Sequence, residues 1–70
     1  MKNHIQELRK LYKLSQDELA RKASVTRQTI NAIENDKYDP SLSLAFELAN
    51  ILQVPVQELF EYTKKENHHV

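Results

Sequence analysis

Residues 26–38 hold polar side chains whose types and spacing are those of a hydrogen-bonding surface. On a helix that turns by about 100° per residue, Arg27, Gln28 and Asn31 fall on one side. Ile30 and Ile33 fall on the other. In the DNA major groove, Arg pairs bidentately with guanine, and Asn or Gln pairs with adenine. The pattern therefore predicts a helix that reads bases with its outer face. The alternative is a surface helix whose polar groups only contact water.

A capped helix and a tight turn lead into this candidate helix. Ser15, followed three residues later by Glu18, is typical of a capping box, so a second helix is expected to begin at Gln16. Its buried residues would be Leu19, Ala20 and Ala23. After a turn at Ser24-Val25, Thr26 is the N-cap candidate of the third helix. Two short helices with base-reading groups on the second one predict a helix-turn-helix.

Apolar spacing and the two prolines predict three further helices. Ile5, Leu8 and Tyr12 recur at intervals of three and four, which predicts a first amphipathic helix over residues 3–13. Ser41 would cap a fourth helix. The buried stripe of that helix would be Leu44, Leu48, Ala49 and Leu52. Pro55 suits the first turn of a short fifth helix. The apolar residues of the fifth helix are Val56, Leu59 and Phe60.

Five helices with short links predict a compact all-α domain over residues 5–60. Residues 1–4 and 61–64 are expected to pair as a small two-stranded sheet, because this fold would bring the termini together. Residues 61–70 form a polar C-terminal tail, which we expect to be frayed from Lys64 onward. His68 and His69 are read as part of this tail, and weak metal binding by the pair is the alternative.

The net charge of the 70 residues is zero, but the charges are segregated. Residues 1–38 carry eight Lys or Arg and five Asp or Glu, a net charge of +3. Residues 39–63 carry four acids and no Lys or Arg. Phosphate responds to the local field rather than to the total, so the first half suits a nucleic-acid partner. The alternative is chance scatter in a short chain.

Composition excludes several classes of protein. The sequence has no cysteine, which excludes disulfides and thiolate metal sites. There is no apolar run of the roughly 20 residues that a membrane helix needs, and no signal-peptide pattern, so we expect a cytoplasmic protein without a membrane partner. The residues show no Ser-His-Asp arrangement, glycine loop or metal-ligand spacing. We therefore expect no enzyme activity, cofactor, metal or small-molecule ligand.

Five short motifs at fixed spacing are more specific than the periodicity of apolar residues. They are Leu14-Ser15-Gln16-x-Glu18-Leu19-Ala20, Val25-Thr26-Arg27-Gln28-Thr29-Ile30, Ile33-Glu34-Asn35, Pro40-Ser41-Leu42 and Val54-x-x-x-Glu58-Leu59-Phe60. Together they resemble the Cro/C1-type (Xre) helix-turn-helix family of bacterial and phage repressors, and in particular its small stand-alone members. The resemblance covers residues 5 to 60. It implies a lambda-repressor-like fold and a sequence-specific, DNA-binding transcriptional regulator that acts as a repressor.

The resemblance also implies roles for individual residues. Gln16, the first residue of the second helix, would bond a DNA phosphate, which the free amides of a helix start also favour. Asn35, Lys37 and Tyr38 follow the third helix, where the family touches the DNA backbone, and Ser41 is a weaker candidate. The full set of expected DNA contacts is Gln16, Thr26, Arg27, Gln28, Asn31, Asn35, Lys37, Tyr38 and Ser41.

Relatives pair an Arg on the first helix with a Glu at the end of the third. Arg9 and Glu34 match these positions, so we expect a partly buried ion pair that orients the third helix. The alternative is two independent surface charges. Two positions depart from the family, which prefers Gly where this chain has Ser24 and Asp36. Such positions often need φ > 0, which Asp tolerates more readily than Ser.

Apolar residues near the carboxyl end of the domain predict that the protein forms a dimer. Leu59, Phe60 and Tyr62 follow the main apolar stripe and are expected to have little to pack against in one protomer. With Val54 and Val56 they would form an isologous homodimer interface. Two-fold symmetry would set two recognition helices about 34 Å apart and imply a palindromic operator in double-stranded DNA. The alternative function is a protein-interaction module such as an antitoxin or adaptor, which the acidic residues 39–63 would suit.

Overall fold

The computed structural model describes residues 1–62, which form five helices and one pair of short strands. In chain order these are β1 (Lys2–Asn3), α1 (Ile5–Leu11), α2 (Gln16–Lys22), α3 (Arg27–Glu34), α4 (Leu42–Ile51), α5 (Val56–Leu59) and β2 (Phe60–Glu61). The predicted fold class, five helices with a terminal strand pair, is confirmed. Within these residues, no helix is long and apolar enough to cross a membrane.

Three helices begin where a hydroxyl caps them. Ser15 Oγ accepts the backbone amide of Glu18 at 3.0 Å, and Glu18 Oε1 accepts the amide of Ser15 at 2.8 Å, which is the predicted capping box. The bond that the Ser15 amide donates to the carboxylate is the largest cause that holds the pKa of Glu18 below its ordinary value. Thr26 caps α3 and Ser41 caps α4 in the same way. The starts of α2, α3 and α4 are therefore set by local sequence.

The first four helices end in one shared motif, although the sequence contains no glycine. In each, the residue after the C-cap is left-handed, with φ between 57 and 59°; these residues are Lys13, Ser24, Asp36 and Gln53. The next amide then bonds a carbonyl five residues back, as from Leu14 to Arg9 at 2.9 Å and from Val25 to Ala20 at 3.0 Å. Positive φ was expected at Ser24 and Asp36 only.

The core is built from every helix. Among residues 1–62, seven large side chains are fully buried, namely Ile5, Leu19, Ile30, Ile33, Leu48, Leu52 and Leu59. Burial of each such side chain contributes about 1.5–3 kcal/mol relative to exposure. The first helix is shorter than predicted, because residues 2–3 are extended in β1 and Tyr12 is a half-exposed C-cap. Pro55 is the N-cap of α5 rather than part of its first turn.

The expectation that Leu59 and Phe60 have little to pack against in one protomer is wrong. Leu59 is 0% exposed and Phe60 is 8% exposed, so both belong to the core of one protomer. The physical reason is that α5 folds back onto α4, and β2 then pairs with β1. Val54 and Val56 are partly buried, and Tyr62 is 79% exposed.

The strand pair joins the two ends of the domain. Lys2 lies opposite Glu61 and Asn3 lies opposite Phe60 in an antiparallel pair, and the amide of His4 donates to the carbonyl of Leu59 at 2.9 Å. The pairing therefore involves residues 60–61 rather than 61–64, and Glu61 belongs to the folded domain rather than to the tail. Residues 63–70, including His68 and His69, lie outside the described part of the chain.

Candidate nucleic-acid interface

The third helix has two chemically distinct faces. Ile30 and Ile33 are 0% and 1% exposed and anchor α3 in the core. Arg27, Gln28 and Asn31 are exposed on the opposite side. The turn at Ser24-Val25 is short and the Thr26 hydroxyl caps the start of α3. The position of these side chains relative to α2 is therefore well defined.

The outer face of α3 and the start of α2 together form one polar concavity. Gln16, Arg27, Gln28 and Asn31 line this open concavity of about 320 Å³. One guanidinium and three carboxamides offer both donors and acceptors, with no carboxylate among them. Such a surface fits flat polar edges better than an apolar ligand. Within residues 1–62, no cluster of His, Asp or Glu side chains is arranged to hold a metal ion.

A buried ion pair lies under this surface. The Nε of Arg9 donates to Glu34 Oε2 at 2.8 Å, and a second guanidinium nitrogen donates to Glu34 Oε1 at 3.2 Å. A third bond runs from Arg9 to the carbonyl of Leu14 at 3.0 Å. The side chains are 10% and 4% exposed, so they are not independent surface charges. Because Arg9 is on α1 and Glu34 ends α3, the pair ties α3 to α1.

Gln16 joins the same network. Its Nε2 donates to Glu34 Oε1 at 3.0 Å, and its side chain is half-buried. The amide has a second N–H on Nε2, which remains available to a phosphate, because a carboxamide nitrogen carries two donors. Glu34 therefore fixes the direction of the side chain that was expected to be a phosphate clamp.

The remaining candidates are distributed around this centre. The hydroxyls of Thr26 and Ser41 accept helix-capping amides at 3.2 Å, and the side-chain Nδ2 of Asn35 donates to the carbonyl of Asn31 at 2.8 Å. Lys37 and Tyr38 are exposed. Tyr38 and Ser41 line a second concavity with Ser24 and Val25, apart from the one that contains Gln16. The structure thus brings four of the nine candidates together and places the others nearby on separate caps and loops.

Comparison with known proteins agrees with this geometry. Residues 5–59 match the family described as helix-turn-helix. The chain belongs to the helix-turn-helix family of the Cro/C1 (Xre) type. This helix-turn-helix protein is 48% identical over 66 residues to an uncharacterized HTH-type transcriptional regulator of Methanocaldococcus jannaschii, covering 94% of this chain and 100% of that one. It is also 37% identical to the immunity repressor protein of Bacillus phage phi105, covering 89% of this chain and 51% of the repressor.

A solved structure gives the same relationship. The crystal structure of the restriction-modification controller protein C.AhdI from Aeromonas hydrophila superposes with a TM-score of 0.74 and 32% identity, covering 81% of this chain and 83% of that one. Family, relatives and fold agree, so this helix-turn-helix protein is a DNA-binding transcriptional regulator.

Sequence reasoning missed one residue of this regulator that touches the recognition helix. Asn3 Nδ2 donates to the carbonyl of Ile33 at 2.9 Å and to Asp36 Oδ1 at 3.2 Å, while its Oδ1 accepts the amide of Ile5 at 3.1 Å. An Asn just before an amphipathic helix is a capping signal, which would have found the bond to Ile5. The bonds to the end of α3 have no local signal.

Proposed function

We propose that this regulator is a repressor that binds a palindromic operator as a homodimer, with α3 in the major groove of each half-site. The observation that carries the proposal is the exposed polar concavity at the start of α3, lined by Gln16, Arg27, Gln28 and Asn31. The first turn of α3 contains no acidic residue, so nothing in that turn repels the phosphates on either side of a groove.

We assign different roles to the exposed side chains. Arg27, Gln28 and Asn31 read base edges, because their guanidinium and carboxamide groups match guanine and adenine. Gln16, Asn35, Lys37 and Tyr38 contact phosphates, and these contacts set the register without carrying sequence information. Thr26 and Ser41 lie at the starts of the helices that they cap, and there they approach the DNA backbone. Repression fits the likeness to a phage protein named as an immunity repressor.

The proposed dimer surface lies around α5 and β2. Val56 and Tyr62 line one concavity with the small exposed edge of Phe60. Val54 lies at the turn that precedes α5 and is partly buried. An interface with two-fold symmetry needs only one such patch, because the patch contacts its own copy on the partner. The resulting dimer would set the two α3 helices about one DNA turn apart.

Selection of bound sequences from random double-stranded DNA tests the DNA-binding part. We expect an enriched inverted repeat with half-sites about 10 bp apart, centre to centre. A placed operator that overlaps a promoter should then lower transcription in a purified system. Enrichment of no sequence would favour the alternative, a protein-interaction module such as an antitoxin or adaptor. Increased transcription would contradict repression.

Sedimentation tests the dimer separately. We expect wild-type protein to be dimeric at micromolar concentration and Tyr62→Glu to be monomeric but folded. Leu11→Glu is the matched control, because Leu11 is 69% exposed at the end of α1 and does not line the concavity of Val56 and Tyr62. A wild-type monomer at high micromolar concentration, or equal behaviour of the two variants, would contradict the proposed surface.

A further inference from the structure

The carboxamide of Asn3 connects three elements of the domain. Its Oδ1 accepts the amide of Ile5 at the start of α1, at 3.1 Å. Its Nδ2 donates to the carbonyl of Ile33 in the last turn of α3, at 2.9 Å, and to Asp36 Oδ1 at 3.2 Å. Both donors of the carboxamide are therefore used on the carboxyl end of the recognition helix, and the acceptor is used on α1.

These contacts engage the motif that ends α3. The carbonyl of Ile33 also accepts the amide of Asp36 at 3.1 Å, so both lone pairs of this oxygen have partners. Asp36 is the left-handed residue, with φ of 59°, and the next amide, from Lys37, donates to the carbonyl of Ala32 at 2.9 Å. Asn3 thus holds the part of α3 whose carbonyls lack partners within the helix.

Asn3 is itself fixed by the strand pair. It lies opposite Phe60 in the antiparallel pairing, and the neighbouring amide of His4 donates to the carbonyl of Leu59. Leu59 and Phe60 are buried in the core. The end of α3 is therefore attached, through one side chain, to a backbone that the core holds in place.

A change in the attachment at the carboxyl end of α3 would displace the opposite end, where Arg27 and Gln28 lie. The eight residues of α3 span about 12 Å at 1.5 Å per residue. A tilt of about 10° around one end displaces the other by roughly 2 Å, which exceeds the tolerance of a hydrogen bond to a base edge. Glu34 provides a second attachment for the end of α3. It bonds Arg9 on α1 and Gln16 on α2, so it does not involve β1.

We propose that Asn3 is a positioning residue for sequence recognition: it sets the tilt of α3 by joining the carboxyl end of that helix to β1. The proposal rests on the proposed function, because it assigns to Asn3 the alignment of side chains that read bases. Asn3 acts through Ile33 and Asp36 and contacts no DNA itself. Specific affinity should therefore depend on Asn3, while the affinity for random DNA should not.

The variant Asn3→Asp tests the donor of the carboxamide separately from its acceptor. The variant keeps an acceptor for the amide of Ile5 but replaces the donor with a carboxylate that faces Ile33 O and the Asp36 carboxylate. We expect operator affinity to fall about tenfold, because the variant loses the partly buried bond to the carbonyl of Ile33 and the exposed bond to Asp36. Asn50→Asp is the matched control, since it adds the same charge at an exposed position of α4.

The reversed pair Asn3→Asp with Asp36→Asn supplies the rescue. A carboxamide at position 36 can donate to the new carboxylate, and the net charge returns to the wild-type value. We expect this double variant to recover part of the operator affinity and to return the amide resonances of α3 toward wild type. A ratio of operator to random affinity that is the same in Asn3→Asp and Asn50→Asp would overturn the proposal, as would a double variant without recovery.

Two measurements keep the test independent of folding and of operator identity. In wild type, the side-chain amide protons of Asn3 should exchange with solvent more slowly than those of exposed Asn50, and equal rates would overturn the proposal. If wild-type protein selects no DNA sequence, the proposed function fails. The α3 resonances in Asn3→Asp still decide whether Asn3 sets the helix position, and unchanged resonances would overturn it.

Discussion

The guanidinium of Arg9 and the carboxylate of Glu34 meet in a bidentate ion pair across 25 residues of sequence, with 2.8 and 3.2 Å bonds. The same carboxylate accepts the amide of Gln16. One acidic side chain at the end of α3 thus fixes both the first helix and the polar residue that begins the second. Because the pair is almost fully buried, it would support the proposed binding surface from below rather than contact DNA.

Glu34→Ala should destabilise the domain by about 3–5 kcal/mol, because it leaves the Arg9 guanidinium buried without a counter-charge. A 70-residue domain has a total stability of roughly 4–10 kcal/mol, so the variant should be partly unfolded at 37 °C. Urea denaturation followed by circular dichroism measures the change. The control is Arg9→Met with Glu34→Leu, which removes both charges and should cost less than the single change. A loss below 1 kcal/mol for Glu34→Ala would contradict this role.

Arg27→Ala should cost about 1–3 kcal/mol of operator affinity and relax the preference at one base pair in each half-site. Its effect on random DNA should be much smaller. Lys37→Ala is the comparison, because an exposed Lys assigned to a phosphate should weaken both kinds of DNA equally and reduce the salt slope by about 1 per protomer. Fluorescence anisotropy at several salt concentrations separates the two patterns. Equal loss on both DNAs for Arg27→Ala would refute base reading.

Ser24→Gly should raise stability by about 0.5–1 kcal/mol, because the left-handed φ of 59° carries a steric cost for any residue with a Cβ atom. Lys13→Gly and Gln53→Gly should act similarly and additively, since the three turns are separate. Ser24→Ala is the control, because it removes the hydroxyl but keeps the Cβ. Thermal melts of the four variants measure the gain. If Ser24→Gly melts no higher than wild type, the strain is absent or is compensated elsewhere.

Stability should depend on pH through His4. Its Nδ1 lies 2.6 Å from Glu7 Oε1 and its Nε2 lies 2.6 Å from Glu61 Oε2, and these two hydrogen bonds raise the pKa of His4 above 6.5. A folded pKa above the unfolded one gives a stabilisation that is fully present below about pH 6.5 and is lost as the pH rises through the folded pKa.

Melting temperatures of wild type and His4→Gln check this linkage. The gap between the two proteins should be larger at about pH 5.5 than at about pH 8.5. Because both proteins keep His68 and His69, any titration of the tail cancels in the difference. A gap that widens with rising pH, or that does not change, would show that His4 is not charged between the two carboxylates.

The sequence was sufficient for features that depend on neighbouring residues. The Ser15–Glu18 capping box and the Thr26 and Ser41 caps follow from side chains within one helical turn. Most of the predicted stripe of the fourth helix is also buried, but Leu44 is only partly buried and the buried Ala45 was missed. Positive φ at Ser24 and Asp36 came from comparison with a family pattern rather than from local chemistry. Lys13 and Gln53 were missed, since neither residue type favours the left-handed region.

Features that depend on distant residues could not be read from the sequence. Whether Leu59 and Phe60 face a partner or their own core depends on how α5 returns to α4, which no spacing rule specifies. The bonds of Asn3 to Ile33 and Asp36 cross at least 30 residues, and they exist only because β1 lies beside the end of α3. The Gln16–Glu34 bond has the same origin.

The strand pair has a consequence for how the domain folds during synthesis. The contacts between α2 and α3 are local in sequence, so we expect them to form early in synthesis. The pairing of Asn3 with Phe60 has to wait until nearly the whole domain has been made. We therefore expect α2 and α3 to meet before β1 acquires its partner, and under the proposed role of Asn3 the final alignment of α3 would be a late event of folding.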